Sequence, residues 1–470
     1  MSAFALLLLA ACAAPPEGSA PAGPEDTGAA CAFTRYEAGE AWALPDDAPA
    51  GALATVGRAE ADCEGGLAAV WLRDLTGDGR LDLVVPNDCV DPTVGRDVWW
   101  VWPGEAAGFG ARLAWGLPGG FGEGAFAAEA RDAASCGEEA ALPAFFLADL
   151  DRDGADDLVV TADCDDPSLS AGAWRVHRST GMGFGEGAVR AIPNTFGDGA
   201  FVAPRVAPVC EDGAALPGWG LGDLDGDGAD DIVVTGACGA REVGARRWQV
   251  YQNDGAAFVA RAWSTPPEVG AAAVALPDRC PAGPAFFPLD LDGDARPELV
   301  VPRPCTSAAS EWAAYANDGS GFVAVPTLQR APLFLNRMVD APERAESACS
   351  RGEGAWVIDD ATGDGLPDIT ITAACSDRSV GEWRWDQWVG APGGWVEQRS
   401  VALPTGYGAE AFVGSGNAEP GCAGAGSRPV WARRDLDGDG LPEIVVTEAC
   451  DDDAVGATSW RVHRLACDAG

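Results

Sequence analysis

Asp223-Leu224-Asp225-Gly226-Asp227-Gly228-Ala229-Asp230-Asp231, running straight into Ile232-Val233-Val234, is the stretch on which the reading of this chain turns. Carboxylates stand at alternate positions, glycines interrupt them, and a β-branched apolar run follows at once. The form recurs as DLTGDGRLD from Asp74, DLDRDGADD from Asp149, DLDGDARPE from Asp290, DATGDGLPD from Asp360 and DLDGDGLPE from Asp435. Successive first aspartates lie 75, 74, 67, 70 and 75 residues apart. A period this regular marks a repeat architecture, in which one supersecondary module is stacked on the next.

Cysteines punctuate every repeat. The second of each pair (Cys89, Cys164, Cys238, Cys305, Cys375, Cys450) falls 15 residues after the first aspartate. Its companion (Cys63, Cys136, Cys210, Cys280, Cys349, Cys422) falls 10 to 13 residues before it. If the acidic loop is the tip of a hairpin, these two positions meet at the hairpin's open end, and pairing within each repeat is expected. Pairing between neighbouring repeats is the alternative. A closed loop of this size contributes about 3 to 4 kcal/mol by constraining the unfolded chain.

Around each loop the residues read as strands. Short apolar runs precede it (AAVWL, AFFLA, GWGLG, AFFPL) and LVV, IVV or ITI follows it, all bounded by Gly, Pro and Asp. Such short β-branched runs are buried strands rather than helices. A tryptophan-bearing strand comes next (VWWVW at Val98, WRVHR at Trp174, WQVYQ at Trp248, WAAYA at Trp312, WRWDQW at Trp383, WRVHR at Trp460). Asn253-Asp254-Gly255 and Asn317-Asp318-Gly319 are hairpin turns leading to a fourth strand with GF, AF or GW. Four antiparallel strands per repeat, without helical periodicity, predict an all-β fold: a six-bladed β-propeller of four-stranded blades over residues 31–470, with seven blades as the alternative. The last repeat stops after its tryptophan strand, and the segment from Cys31 (CAFTRYEAGEAWALPDD) has the pattern of the missing strand. The N-terminal strand is therefore expected to close the ring, with Cys31–Cys467 tying the seam and no sheet edge left open.

The loops have the chemistry of a calcium site. Calcium takes six to eight hard oxygen ligands in flexible geometry. Carboxylates at positions 1, 3, 5 and 9 and a carbonyl at position 7 can wrap such an ion, with glycine at position 6 supplying the turn. The candidate ligands are Asp74, Thr76, Asp78, Arg80 and Asp82; Asp149, Asp151, Asp153, Ala155 and Asp157; Asp223, Asp225, Asp227, Ala229 and Asp231. In the later repeats they are Asp290, Asp292, Asp294, Arg296 and Glu298; Asp360, Thr362, Asp364, Leu366 and Asp368; Asp435, Asp437, Asp439, Leu441 and Glu443. Position-7 residues enter through the main chain. Up to six structural Ca²⁺ are expected, tightest in repeats two, three and six. Thr76 and Thr362 lack the carboxylate and Ala295 replaces the glycine, which weakens repeats one, five and four. An EF-hand is excluded, because position 12 is Val or Ile inside a strand rather than Glu.

These loops, the LVV or IVV strand behind them, and the pairs Phe109-Gly110 and Phe184-Gly185 resemble the FG-GAP and VCBS repeats of integrin-α-like β-propellers. The resemblance covers residues 31–470. It implies calcium at the hairpin tips and no catalytic residues.

Phe4 to Ala11 is an apolar run too short to span a bilayer, and Leu9-Ala10-Ala11-Cys12 resembles the lipobox of bacterial lipoproteins. Residues 1–11 are read as a signal peptide, Cys12 as a lipidation site and residues 12–30 as a flexible tether; simple secretion is the alternative. Either way the compartment is oxidising, the cell envelope or beyond. The net charge of −41, with no Lys in the chain, excludes nucleic acid and anionic lipid surfaces as partners. His177 and His463 are the only histidines and occupy matching strands, which points to structure and leaves no Ser-His-Asp relay. One tryptophan per repeat is expected in the core, while Trp99, Trp102, Trp115, Trp388 and Trp395 are expected nearer the surface. A monomeric, non-catalytic binding or adhesion scaffold for a protein or glycan ligand is the function expected, with a lectin and then a polysaccharide-active enzyme as alternatives. The variable stretches after each second cysteine, such as Asp91 to Asp97 and Ser376 to Glu382, are its expected binding face.

Overall fold

A computed structural model describes residues 33–49, 61, 63, 68–137, 141–205, 207–211, 214–240, 242–266, 286–303, 311–324, 343–344, 347, 349, 354–392, 394–408, 410–417 and 428–467. Among them the fold is all-β; Ser168–Gly172 is the one helix. The third repeat shows the plan: strands Gly218–Gly222, Asp231–Gly236, Arg247–Asn253 and Phe258–Ser264 form an antiparallel sheet in chain order. Its first hairpin closes on the pair Gly222↔Asp231, so the eight residues between them make the loop tip. The equivalent pairs Arg73↔Asp82, Ala148↔Asp157, Leu289↔Glu298, Asp359↔Asp368 and Arg434↔Glu443 give every repeat one register.

The second strands are buried on both faces, as in Asp157–Ala162, because hydrophobic cores lie on either side. These cores sit between modules rather than within them. Phe146, Trp174, Trp219 and Tyr251 belong to one shared by modules two and three. Comparable clusters join modules one and two, three and four, four and five, and five and six. Another joins module six (Leu436, Val445, Trp460) to module one (Val70, Leu83, Trp102).

The N-terminal segment takes the expected place. Strand Glu40–Ala43 pairs antiparallel with Ser459–His463, Trp42 opposite Trp460, and is the fourth strand of module six. Ahead of it, Phe33–Tyr36 pairs antiparallel with Leu465–Cys467, with Phe33 opposite Cys467. Module one has the same design: a short ribbon, Gly104–Glu105 with Gly108–Phe109, precedes its fourth strand Leu113–Gly116. The Gly-Phe pair is thus a ribbon in module one rather than part of the fourth strand.

The aromatic residue that follows the third strand, in the ribbon of module one and at the start of the fourth strand in modules three and four, reaches onto the neighbouring module. Phe184 of module two meets Trp99 of module one at 5.5 Å, Phe258 meets Trp174 at 5.3 Å, and Phe322 meets Trp248 at 5.2 Å. Tyr36, from the N-terminal segment, meets Trp385 at 5.6 Å. The rings cross edge to face, the favoured arrangement for aromatic quadrupoles.

Four disulfides pair within their repeats: Cys63–Cys89, Cys136–Cys164, Cys210–Cys238 and Cys349–Cys375, with Cα atoms 5.1 to 5.5 Å apart. Cys450 is also disulfide-bonded. Cys12, Cys31, Cys280, Cys305 and Cys422, and the side chain of Cys467, lie outside the described residues.

The tryptophans correct the expectation. Trp99, Trp102, Trp115 and Trp395 are buried, and Trp388 is half-buried. Trp99 is the module-one counterpart of Trp174, and Trp115 packs against Phe184 of the next module. In the WRWDQW segment Trp385 fills the core position, while Trp383 is 62% exposed.

Candidate metal centres

Each acidic loop is built on two left-handed residues, at positions 4 and 6. Position 6 has φ near +85° in Gly79, Gly154, Gly228, Gly365 and Gly440, and position 4 has φ near +75° in Gly77, Gly226, Gly293, Gly363 and Gly438. Only glycine enters this region without steric cost, yet Arg152 (φ 66°) and Ala295 (φ 67°) occupy it too. The amides freed by these turns point inward to position 1. Gly226 and Gly228 donate to the two oxygens of Asp223 at 2.8 and 2.7 Å, and Gly293 and Ala295 do the same to Asp290. Position 5 accepts from the position-7 amide, as Asp227 does from Ala229 at 3.0 Å. Loop four therefore keeps the common shape despite Ala295.

Position 9 does something the pattern did not reveal. Asp82 is fully buried and accepts from the amides of Leu75 and Thr76 with one oxygen and of Gly104 with the other. Asp231 and Asp368 likewise bracket the loop to the end of the third strand, through Asn253 and Gly390. Burial pushes these carboxyls up: Asp82 and Asp368 to about 6, Asp157 to about 7, and Asp231, Glu298 and Glu443 to about 8. Loss of hydration is the largest cause in each, followed in most by accepted amide bonds that act in the opposite sense; in Asp157 the repulsion of Asp151 comes second.

Positions 1, 3 and 5 come together. Ligand oxygens of Asp149, Asp151 and Asp153 lie within 4.8 Å of one another, as do those of Asp223, Asp225 and Asp227, and of Asp290, Asp292 and Asp294. In module six Glu443 joins Asp435, Asp437 and Asp439. In module one the Thr76 hydroxyl hydrogen-bonds to Asp74 at 3.5 Å and Asp82 at 3.4 Å, so the loop is satisfied internally and offers one carboxylate fewer.

The fit of these clusters to a cation shows in orphaned atoms. Asp151 Oδ1, Asp225 Oδ1 and Asp437 Oδ1 are buried without a hydrogen-bond partner, all at position 3. The Asp151 side chain is 8% exposed. A buried carboxylate oxygen left without a donor is costly, and three oxygens of this hard type converging within 4.8 Å suit a divalent ion.

The loops also touch one another. Arg152 of loop two donates to Asp227 of loop three at 2.5 Å, and Arg296 of loop four to the Asp225 carbonyl at 3.0 Å. Arg80 of loop one donates to the Asp437 carbonyl of loop six at 3.1 Å. Asn253 and Asn317, first seen as turn residues, are buried and donate back to the Leu150 and Leu224 carbonyls of the preceding loops.

The histidines are structural in their contacts. Nδ1–H of His177 donates to the Gly185 carbonyl and that of His463 to the Glu37 carbonyl, both at 2.9 Å. Burial holds both below the usual range, His463 at about 4.

No family model matches the chain, and no curated protein does. Among solved structures it is similar to a chain of the Photorhabdus luminescens Tc holotoxin pore, with 15% identity and a TM-score of 0.46, over 92% of this chain and 15% of that one. It is similar to the Dos1 propeller at 9% identity and a TM-score of 0.30, over 86% and 80% of the two chains. The dihydro-heme d1 dehydrogenase NirN overlaps 74% of this chain and 50% of its own, at 12% identity and a TM-score of 0.25.

Proposed function

We propose that the six modules close into one six-bladed β-propeller of the FG-GAP/VCBS kind, and that the protein is a calcium-stabilised, non-catalytic binding scaffold in an oxidising compartment. The core and aromatic contacts between modules six and one support closure at six. The observation that carries the calcium reading is the partnerless buried oxygen at position 3 of loops two, three and six, facing carboxylates at positions 1 and 5. When bound, the ion supplies positive charge that offsets the crowded aspartates. The chain's own part is to hold position 1 with loop amides, to fix the loop base through the buried ninth acid, and to bury the leucine at position 2.

Four intramodule disulfides are compatible with an extracytoplasmic site. A lipid anchor at Cys12 completes the proposal. The ligand, protein or glycan, would meet the stretches that follow the second cysteines, where Val90 is 89% and Trp383 62% exposed. With the other described tryptophans wholly or partly buried, a sugar-stacking lectin is less well supported than a protein-binding scaffold. Titration calorimetry of the chelated protein with calcium is expected to show at least three sites tighter than about 1 mM, within the range of extracellular calcium modules. Fewer sites would overturn the reading.

A further inference from the structure

The carboxylate at position 3 is held from outside its loop, always from the same place. Four residues after the core tryptophan, one step beyond the last ladder pair of the third strand, stand Arg178, Gln252 and Arg464 in modules two, three and six. Arg178 meets Asp151 Oδ2 at 2.5 Å, Gln252 Nε2 donates to Asp225 Oδ2 at 2.7 Å, and Arg464 Nε donates to Asp437 Oδ2 at 3.0 Å. In all three the other oxygen, Oδ1, is the buried one with no partner. The amide of Gln252 is itself oriented, because its Oε1 accepts from Arg261 at 3.2 Å. Where position 3 is threonine (Thr76, Thr362), the equivalent residues are Pro103 and Val389, which offer no side-chain donor. In module four the residue at that place is Ala316, which offers no side-chain donor.

We infer that Arg178, Gln252 and Arg464 are positioning residues for cation binding, each fixing one oxygen of the position-3 carboxylate so that the other is presented to the ion. The inference rests on the calcium reading above. A donor behind a ligand removes rotamers that the ion would otherwise have to freeze out, and loss of such outer partners costs about tenfold or more in metal affinity. Arginine and glutamine share this geometric task but differ in charge. A guanidinium beside the site repels the incoming ion, whereas the amide does not.

Hydrogen–deuterium exchange of the full chain across a calcium titration reads each loop separately. Gln252→Leu removes the donor without changing charge. It is expected to raise the calcium midpoint of loop three about tenfold while loops two and six keep theirs. In loop two, Arg178→Gln keeps a donor and removes a charge, so it should bind calcium more tightly than Arg178→Leu. An unmoved midpoint in Gln252→Leu, or Arg178→Leu binding as tightly as Arg178→Gln, would overturn the inference while leaving the sites themselves in place. Absence of calcium-dependent protection in every loop of the wild-type chain would instead overturn the calcium reading, and this inference with it.

Discussion

Phe109 stands edge-on to Trp460, ring centroids 5.5 Å apart and planes at 88°, and so joins the first module to the last. Phe184, Phe258 and Phe322 repeat the contact between neighbours in sequence. The seam thus uses the same aromatic fit as the interior joints.

Removing that ring should open the seam. Phe109 is half-buried, so Phe109→Ala is expected to cost about 2 kcal/mol, below the value for a fully buried phenylalanine. Urea unfolding checks the figure, and a loss under about 0.5 kcal/mol would show that the seam does not depend on this contact.

Loop four carries a removable strain. Ala295 has φ of 67° where the five other loops, with the same hydrogen bond to position 1, have glycine. Ala295→Gly should stabilise the protein by about 1 kcal/mol, because relief of the Cβ clash outweighs the added freedom of the unfolded chain. The melting temperatures of the two chains decide it.

Proton linkage gives a third expectation. The ninth-position acids have folded pKa values raised to between about 6 and about 8, mainly by burial. The folded state holds protons that the unfolded state has already lost, so stability is fullest below about pH 4 on this account and falls as pH rises toward 8. Chelated protein should therefore unfold more easily at pH 8 than at pH 5. Added calcium favours the ionised form, and the rise in melting temperature it causes should be larger at pH 8. A chelated protein that gains stability between pH 5 and pH 8 would contradict this.

Two tryptophans only two residues apart should behave in opposite ways. Trp385 is fully buried and its indole N–H donates to the Phe412 carbonyl at 2.9 Å, whereas Trp383 is 62% exposed. Trp385→Ala should cost about 4 kcal/mol and Trp383→Ala no more than about 0.5 kcal/mol. Equilibrium denaturation of both variants separates them.

What the residues disclosed in advance was whatever repeats locally. The alternate aspartates, the β-branched run behind them and the fixed cysteine spacing placed the hairpins, four disulfides and the strand that completes module six. Contacts between modules leave a fainter trace. Trp99, Trp174 and Trp385 each donate to the carbonyl of a phenylalanine 27 residues later, Phe126, Phe201 and Phe412. The signal was present as an Ala-Phe pair after each fourth strand, but a strand's period of two cannot say which face meets a neighbouring module. For the same reason the strand pattern places Trp99 nearer the surface, where the structure buries it. The ninth acid is ambiguous in a different way, since a ligand and a buried acceptor of amides present the same carboxylate at the same position.

The Glu37 carbonyl accepts from His463, 426 positions along the chain, and Tyr36 rests on Trp385. During synthesis the opening strands emerge hundreds of residues before their antiparallel partners, Ser459–His463 and Leu465–Cys467. Intermediate modules can stack as they appear, but assembly stays incomplete until the closing segment is delivered. Whatever synthesises this polypeptide must keep those early strands from pairing elsewhere for the whole of that interval.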